Sequence, residues 1–373
     1  MIYLDYAANT PCDETVLETY LHTERTYTGN PNSAHCAGRA AGERLAEIAE
    51  AVASRLKLLP SEIVWTSGAS EANNLAVKGT ARAMRHHGKH IISTPLEHPS
   101  VSGPLTFLRE QGYEIDLLSI RRDRKIDLDN LKELLRDDTI LVAVSAVDSE
   151  LGVIQPVGEI ARITGRYPCC RLHVDATQAV GKIDFSFDGI DTASPTAHKF
   201  YGPNGIGVLY KRDKLVIEPL IHGGTGASVY RSGTPTLALA SALEKAAELS
   251  LAACEERYLY IKGLNDRLRS ALSAYPAVRI NSPGDAVPHI LNLSVAGVSG
   301  ERFQQALSER GVCVSVKSAC SMPGLPSRAV FAVSRDRKNA LSSWRISLSH
   351  LTTERQIADF LEIFDSCYKE LAT

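Results

Sequence analysis

The chain has 373 residues, 44% of them hydrophobic and 23% charged, and its 41 Lys+Arg against 43 Asp+Glu leave a formal net charge of −2. This composition suits a folded globular protein, and it lacks the basic excess of one held to nucleic acid through phosphates. At this length two domains with sizeable cores are expected.

The N-terminus, MIYLDYAANT, has no basic stretch followed by an apolar one, so no signal peptide is expected. The best apolar run, Ile140 to Val144, falls far short of the roughly 20 residues that span a bilayer. In chain order, strands are expected at Glu62–Thr66, His90–Thr94, Ile140–Ser145, Leu172–Asp175 and Ile206–Tyr210. Helical stretches such as Ser70–Arg85 and Leu128–Leu135 lie between them, which predicts an α/β domain around a mainly parallel sheet. Ile140–Val144 is continuously apolar, as a strand covered on both faces should be. The run Arg85-His86-His87-Gly88-Lys89-His90 reads as a helix C-terminus stopped by Gly88 rather than as a metal site. From Thr236 one long helical pattern runs towards Lys262. Beyond it, Val278–Ile280, Ile290–Val295 and Trp344–Ser347 read as strands of a smaller α+β domain closed by a helix over Thr353–Lys369. Met322–Pro326 reads as a mobile surface loop. None of the eight cysteines forms a CxxC pair, and most are expected to be buried small hydrophobes in a reducing cytoplasm.

In an open parallel sheet, ligands sit outside the carboxyl ends of the strands, and the polar residues of interest fall there. Thr66-Ser67-Gly68-Ala69-Ser70-Glu71 follows a strand and opens a helix, where backbone N–H groups and the helix dipole favour a phosphate; alone it could be an ordinary helix start. Asp175 ends an apolar strand, where it is either a turn residue or the partner of a buried cation such as a protonated pyridine. Ser194-Pro195-Thr196-Ala197-His198-Lys199 sets a lysine among hydroxyl and imidazole donors, just before the glycine-rich Gly202–Gly207. An exposed loop lysine is the plain alternative. Together these features suit a lysine that forms a Schiff base with an aldehyde cofactor.

The ordered motifs resemble the cysteine desulfurases, in the class V aminotransferase branch of fold-type I enzymes that use pyridoxal 5′-phosphate (PLP). They are Tyr3-Leu-Asp-Tyr-Ala-Ala, Gly29-Asn-Pro-Asn-Ser-Ala-His35, Thr66-Ser-Gly-Ala-Ser-Glu-Ala-Asn-Asn74, Glu97-His98, Glu150-Leu-Gly-Val-Ile-Gln-Pro156, His173-Val-Asp-Ala-Thr-Gln178, His198-Lys199, Gly202-Pro-Asn-Gly-Ile-Gly207, Arg231-Ser-Gly-Thr234, Ser318-Ala-Cys320 and Arg345-Ile-Ser-Leu348. The resemblance covers nearly the whole chain. It implies the PLP-transferase fold type I: a large domain over 13–255 with a mainly parallel seven-stranded sheet, and a small α+β domain of 1–12 and 256–373.

By position, the resemblance implies that Lys199 holds PLP and moves protons at the substrate Cα. Asp175 would pair with the pyridine nitrogen, His98 would stack on the ring, and Gln178 would bond the phenolic oxygen. Ala69, Ser70, Thr196 and His198 would hold the phosphate, with Thr234 reaching it from the other subunit of a homodimer. Arg345 would clamp the carboxylate of L-cysteine, assisted by Asn30 or Asn32, and Cys320 would take the sulfur as a persulfide for a protein acceptor. No metal, nucleic acid or membrane enters this expectation, and a cytoplasmic setting does. Selenocysteine lyase shares the scaffold and is the enzymatic alternative; a non-catalytic interaction subunit would be expected to lack Lys199, Asp175 or Cys320. Two departures stand out. Ser149, after Asp148, replaces the usual asparagine that contacts the phenolic oxygen, and Lys317 replaces a glycine three residues before Cys320.

Overall fold

The computed structural model describes residues 1–224, 228–317 and 324–372. Among them, seven strands form the central sheet, in the spatial order Ile63–Thr66, Gly207–Lys211, Thr192–Ala193, Arg171–Asp175, Thr139–Ser145, His90–Ser93 and Glu114–Leu117. All neighbouring pairs are parallel except the two made by Gly207–Lys211. The parallel strands therefore end on one edge, with Ser145 directly opposite Asp175. Every residue of Thr139–Ser145 is buried, as the unbroken apolar run requires.

Two strands of this sheet were not expected from the sequence. Glu114–Leu117 is a half-exposed edge strand with acids at alternate positions, and Thr192–Ala193 has only two residues. The helix expected over Ser70–Arg85 spans Ala69–Ala83. Gly88 is not its stop, because the helix ends at Met84 and a turn intervenes. Gly88 instead lies against the Asp138 backbone, where a Cβ would come within 2.1 Å of the carbonyl oxygen.

The single helix expected from Thr236 to Lys262 is two helices, Leu237–Ala252 and Cys254–Leu272, broken at Ala253. The break has a packing cause. Leu237, Ala240, Leu243 and Ala247 face the core around the central sheet, whereas Ile261, Leu264, Leu268 and Leu272 face a second core. A continuous rod could not serve both.

That second core lies between helices and a three-stranded antiparallel sheet, in the order Ser343–Ser347, Ile290–Val295, Val278–Ile280. Trp344 stacks on Phe303 at 5.3 Å within it. The helix Glu354–Leu371 closes it, starting from a Thr353/Gln356 capping box and burying Ile357, Phe360, Phe364 and Cys367 along one stripe. The N-terminal strand Ile2–Tyr3 pairs parallel with Val312–Cys313, and the chain then crosses to the edge of the central sheet. Of the seven described cysteines, only Cys170 and Cys367 are buried, so the expectation that most would be is wrong; Cys36 opens a helix on its solvent side. No helix among the described residues is long and apolar enough to cross a membrane.

Candidate active site

A cavity of about 320 Å³ opens at the carboxyl edge of the parallel strands. It is lined by Ala69, Ser70, His98, Ser149, Asp175, Gln178, Thr196, His198, Lys199 and Arg345, so ten of the expected residues meet in one place.

Its floor is set by the central sheet. Asp175 is the last residue of its strand and is 6% exposed; its Oδ1 accepts the Thr177 N–H at 3.0 Å and its Oδ2 accepts from the Asn73 amide at 2.9 Å. Lys199 closes a short 3-10 turn, Ala197–Lys199, and donates from Nζ to the carbonyls of Ala7 at 2.8 Å and Ala8 at 2.6 Å. The amine is thus held by the segment that crosses from the second core. Gln178 donates to the same Ala7 carbonyl at 3.0 Å, and its Oε1 accepts from the buried Lys182. Burial, with the charges of Lys199 and Arg345, pushes the Lys182 amine well below the usual lysine range.

The helix Ala69–Ala83 points its N-terminus at the cavity. Its N-cap is Gly68, so no side chain competes for the first N–H groups and they remain available to an anion. The approach is tight: a Cβ on Gly207 would lie 2.7 Å from the Gly68 Cα. Thr196 donates to the Ile206 carbonyl at 3.1 Å, and His198 Nδ1 lies 3.2 Å from the Thr196 hydroxyl oxygen. Burial and the Lys199 and Lys182 charges push His198 down to about 4, so its imidazole is neutral there.

His98 caps the helix Pro99–Glu110: its Nδ1 accepts the Ser100 N–H at 3.1 Å, which leaves the ring proton on Nε2. Burial, then the charges of Lys199 and Arg345, lowers its pKa against the pull of Asp175. Ser149 lies on the adjacent wall, and its carbonyl accepts from Arg345 Nη1 at 2.7 Å. Arg345 Nη2 donates to Asp5 Oδ1 at 2.9 Å, while Nε is buried with no partner among the described residues. These two bonds leave the five-donor guanidinium with N–H groups to spare for a further acceptor.

Three expected residues are not in this cavity. Asn30 and Thr234 line a separate one of about 460 Å³, and the exposed Asn32 gives its N–H to Asn30 Oδ1 at 2.9 Å. Within one chain these residues do not meet Lys199. Cys320 and its neighbours over 318–323 lie outside the described residues.

Asp5, Lys182 and Glu97 carry no role in the expectation from sequence. Lys182 had a signal, an ionisable group in the stretch Ala179-Val180-Gly181 four residues after Gln178. Glu97, next to His98 in sequence, is buried, and its carboxylate accepts from Thr94, the Ser145 N–H and the Ser145 hydroxyl. Desolvation pushes it up to about 7 in spite of these bonds.

The donor set fits PLP: an amine for its aldehyde, a carboxylate for its pyridine nitrogen, and an uncapped helix N-terminus for its phosphate. Residues 2–360 match the family model described as aminotransferase class V. The chain belongs to that family. As in this family generally, its cofactor is PLP. A cysteine desulfurase IscS of Dictyoglomus turgidum is 37% identical over 377 residues, which cover 100% of this chain and 95% of the relative. A solved structure titled NifS-like protein superposes with a TM-score of 0.93 at 33% identity, covering 99% of this chain and 100% of that one. Another, titled SspA in complex with cysteine, gives 0.83 at 31% identity, covering 93% and 99%.

Proposed function

We propose that the chain is a cysteine desulfurase that removes sulfur from L-cysteine, yields L-alanine and carries the sulfur as a persulfide on Cys320. The observation that carries this reading is the meeting of Lys199, Asp175, His98 and a half-satisfied Arg345 in one cavity behind an uncapped helix N-terminus.

Bound PLP supplies an electron sink for the substrate Cα. Lys199 would anchor it, Asp175 would pair with its ring nitrogen, His98 would lie on its face, and Gln178 with Ser149 would face its phenolic oxygen. The Ala69 and Ser70 N–H groups, Thr196 and His198 would hold its phosphate. Arg345, braced by Asp5 and the Ser149 carbonyl, would clamp the substrate carboxylate and so fix which Cα bond faces Lys199. The Lys199 amine then moves the proton at Cα. The Cys320 thiolate takes the sulfur, because a neutral thiol is a poor nucleophile.

The chain is divided at about residue 255 into a large domain and a small one that also takes residues 1–12. It acts as a cytoplasmic homodimer in which Thr234 and Asn30 or Asn32 serve the partner's site, and it passes its sulfur to a protein acceptor. Steady alanine release from L-cysteine is expected. Release from selenocysteine alone would favour the lyase. Cys320→Ala should keep bound PLP but lose the persulfide; near wild-type turnover with cysteine would remove Cys320 from the role.

A further inference from the structure

Behind the cavity, Asn73 on the helix Ala69–Ala83 is fully buried and uses both ends of its amide. Its Nδ2 lies 2.9 Å from Asp175 Oδ2 and 2.8 Å from Ser100 Oγ. Its Oδ1 accepts from His173 Nε2 at 3.0 Å and from the Ser194 hydroxyl. We propose that Asn73 is a positioning residue that sets the Asp175 carboxylate and, through Ser100, the His98 imidazole, so that one side chain registers two contacts to the cofactor ring. The proposal rests on the reading above, in which Asp175 and His98 face that ring.

The chemistry fixes the direction of these bonds. A carboxylate oxygen only accepts, so the Asn73 nitrogen faces Asp175 and its oxygen faces His173 and Ser194. Burial holds His173 neutral, down to about 4, and its Nδ1 meets the Thr192 hydroxyl at 3.0 Å. Turning the amide over would set its oxygen against Asp175 Oδ2, which is consistent only if Asp175 carries a proton. The amide orientation and the charge of Asp175 are therefore one variable. On the other branch, Ser100 Oγ accepts from Asn73 and turns its own proton to His98 Nδ1, 2.8 Å away. That Nδ1 also receives the Ser100 N–H, so the His98 proton is kept on Nε2.

The Asn73 donor fixes where Asp175 Oδ2 points, so without it the carboxylate can turn from the ring nitrogen and its hold on a protonated pyridine should weaken. The test is nitrogen-15 NMR of the holoenzyme loaded with PLP labelled at the ring nitrogen. In the wild type the resonance should stay at its protonated position between about pH 6 and 9. In Asn73→Ala the midpoint should fall into that range, a loss of about tenfold or more in proton affinity, or one pH unit. Ser100→Ala, which cuts only the His98 branch, should leave the resonance in place. If Asn73→Ala does not hold PLP, Ser194→Ala frees one anchor of the amide and should move the midpoint the same way by less. Wild-type titrations in both variants would overturn the role of Asn73. A wild-type ring nitrogen unprotonated throughout would instead overturn the Asp175 assignment beneath it.

Discussion

Ser149 stands where the family usually has asparagine, and it lines the cavity while its carbonyl steadies Arg345. Exchange for asparagine leaves that carbonyl in place and lengthens only the donor. A hydrogen bond to a charged oxygen is worth about 1.5–3 kcal/mol, or roughly one to two pH units. The near-visible band of the bound cofactor should therefore titrate about one unit or more higher in the wild type than in Ser149→Asn; superimposable curves would mean that Ser149 does not tune it. Glu97 gives a second prediction. Its carboxyl is raised from 4.5 to about 7, so the folded state binds its proton more tightly than the unfolded chain does. That contribution is full below pH 4.5 and is lost as pH rises to about 7. Glu97→Gln mimics the protonated acid at every pH. Denaturant unfolding should find it close to wild type near pH 5 and more stable near pH 8, by up to about 3 kcal/mol. A constant difference would contradict the shift. Residue types alone showed that Lys199, Asp175 and the loop at Ser70 belonged together. They did not reveal that Asp5 occupies half of the Arg345 fork, because that pair joins residues 340 positions apart.

At the scale of elements, the strands legible in the sequence were those buried on both faces, because burial forces a run of apolar residues. The edge strand Glu114–Leu117 carries no such demand, and two residues at Thr192–Ala193 carry no period at all. The break at Ala253 was hidden for another reason: alanine is a good helix former, and only the change of core ends the first helix there. The meeting of the strand Gly207–Lys211 with the start of the helix Ala69–Ala83 gives a prediction of its own. Gly207→Ala places a methyl 2.7 Å from the Gly68 Cα, and backbone on both sides resists. The helix start must move away from Thr196, so the variant should lose PLP on gel filtration where the wild type keeps it. Full retention would show that the phosphate does not sit there.

Across the whole molecule, the site is assembled where the two cores meet. Lys199, Asp175 and the uncapped helix come from the central sheet, whereas Arg345 comes from the antiparallel sheet and Asp5 from the segment between them. The Ala7 and Ala8 carbonyls that receive Lys199 belong to that same segment. The sequence order of the motifs indicated the family, but which residues share one chain's cavity required the fold: Asn30, Asn32 and Thr234 lie elsewhere. The most direct test of the account is borohydride reduction of the holoenzyme followed by peptide mapping. Lys199 and its neighbour Lys182 are distinct, since Lys199 reaches the cavity and the buried Lys182 is held behind Gln178. The cofactor should be found on Lys199. A label on Lys182, or on any other lysine, would contradict the site described here.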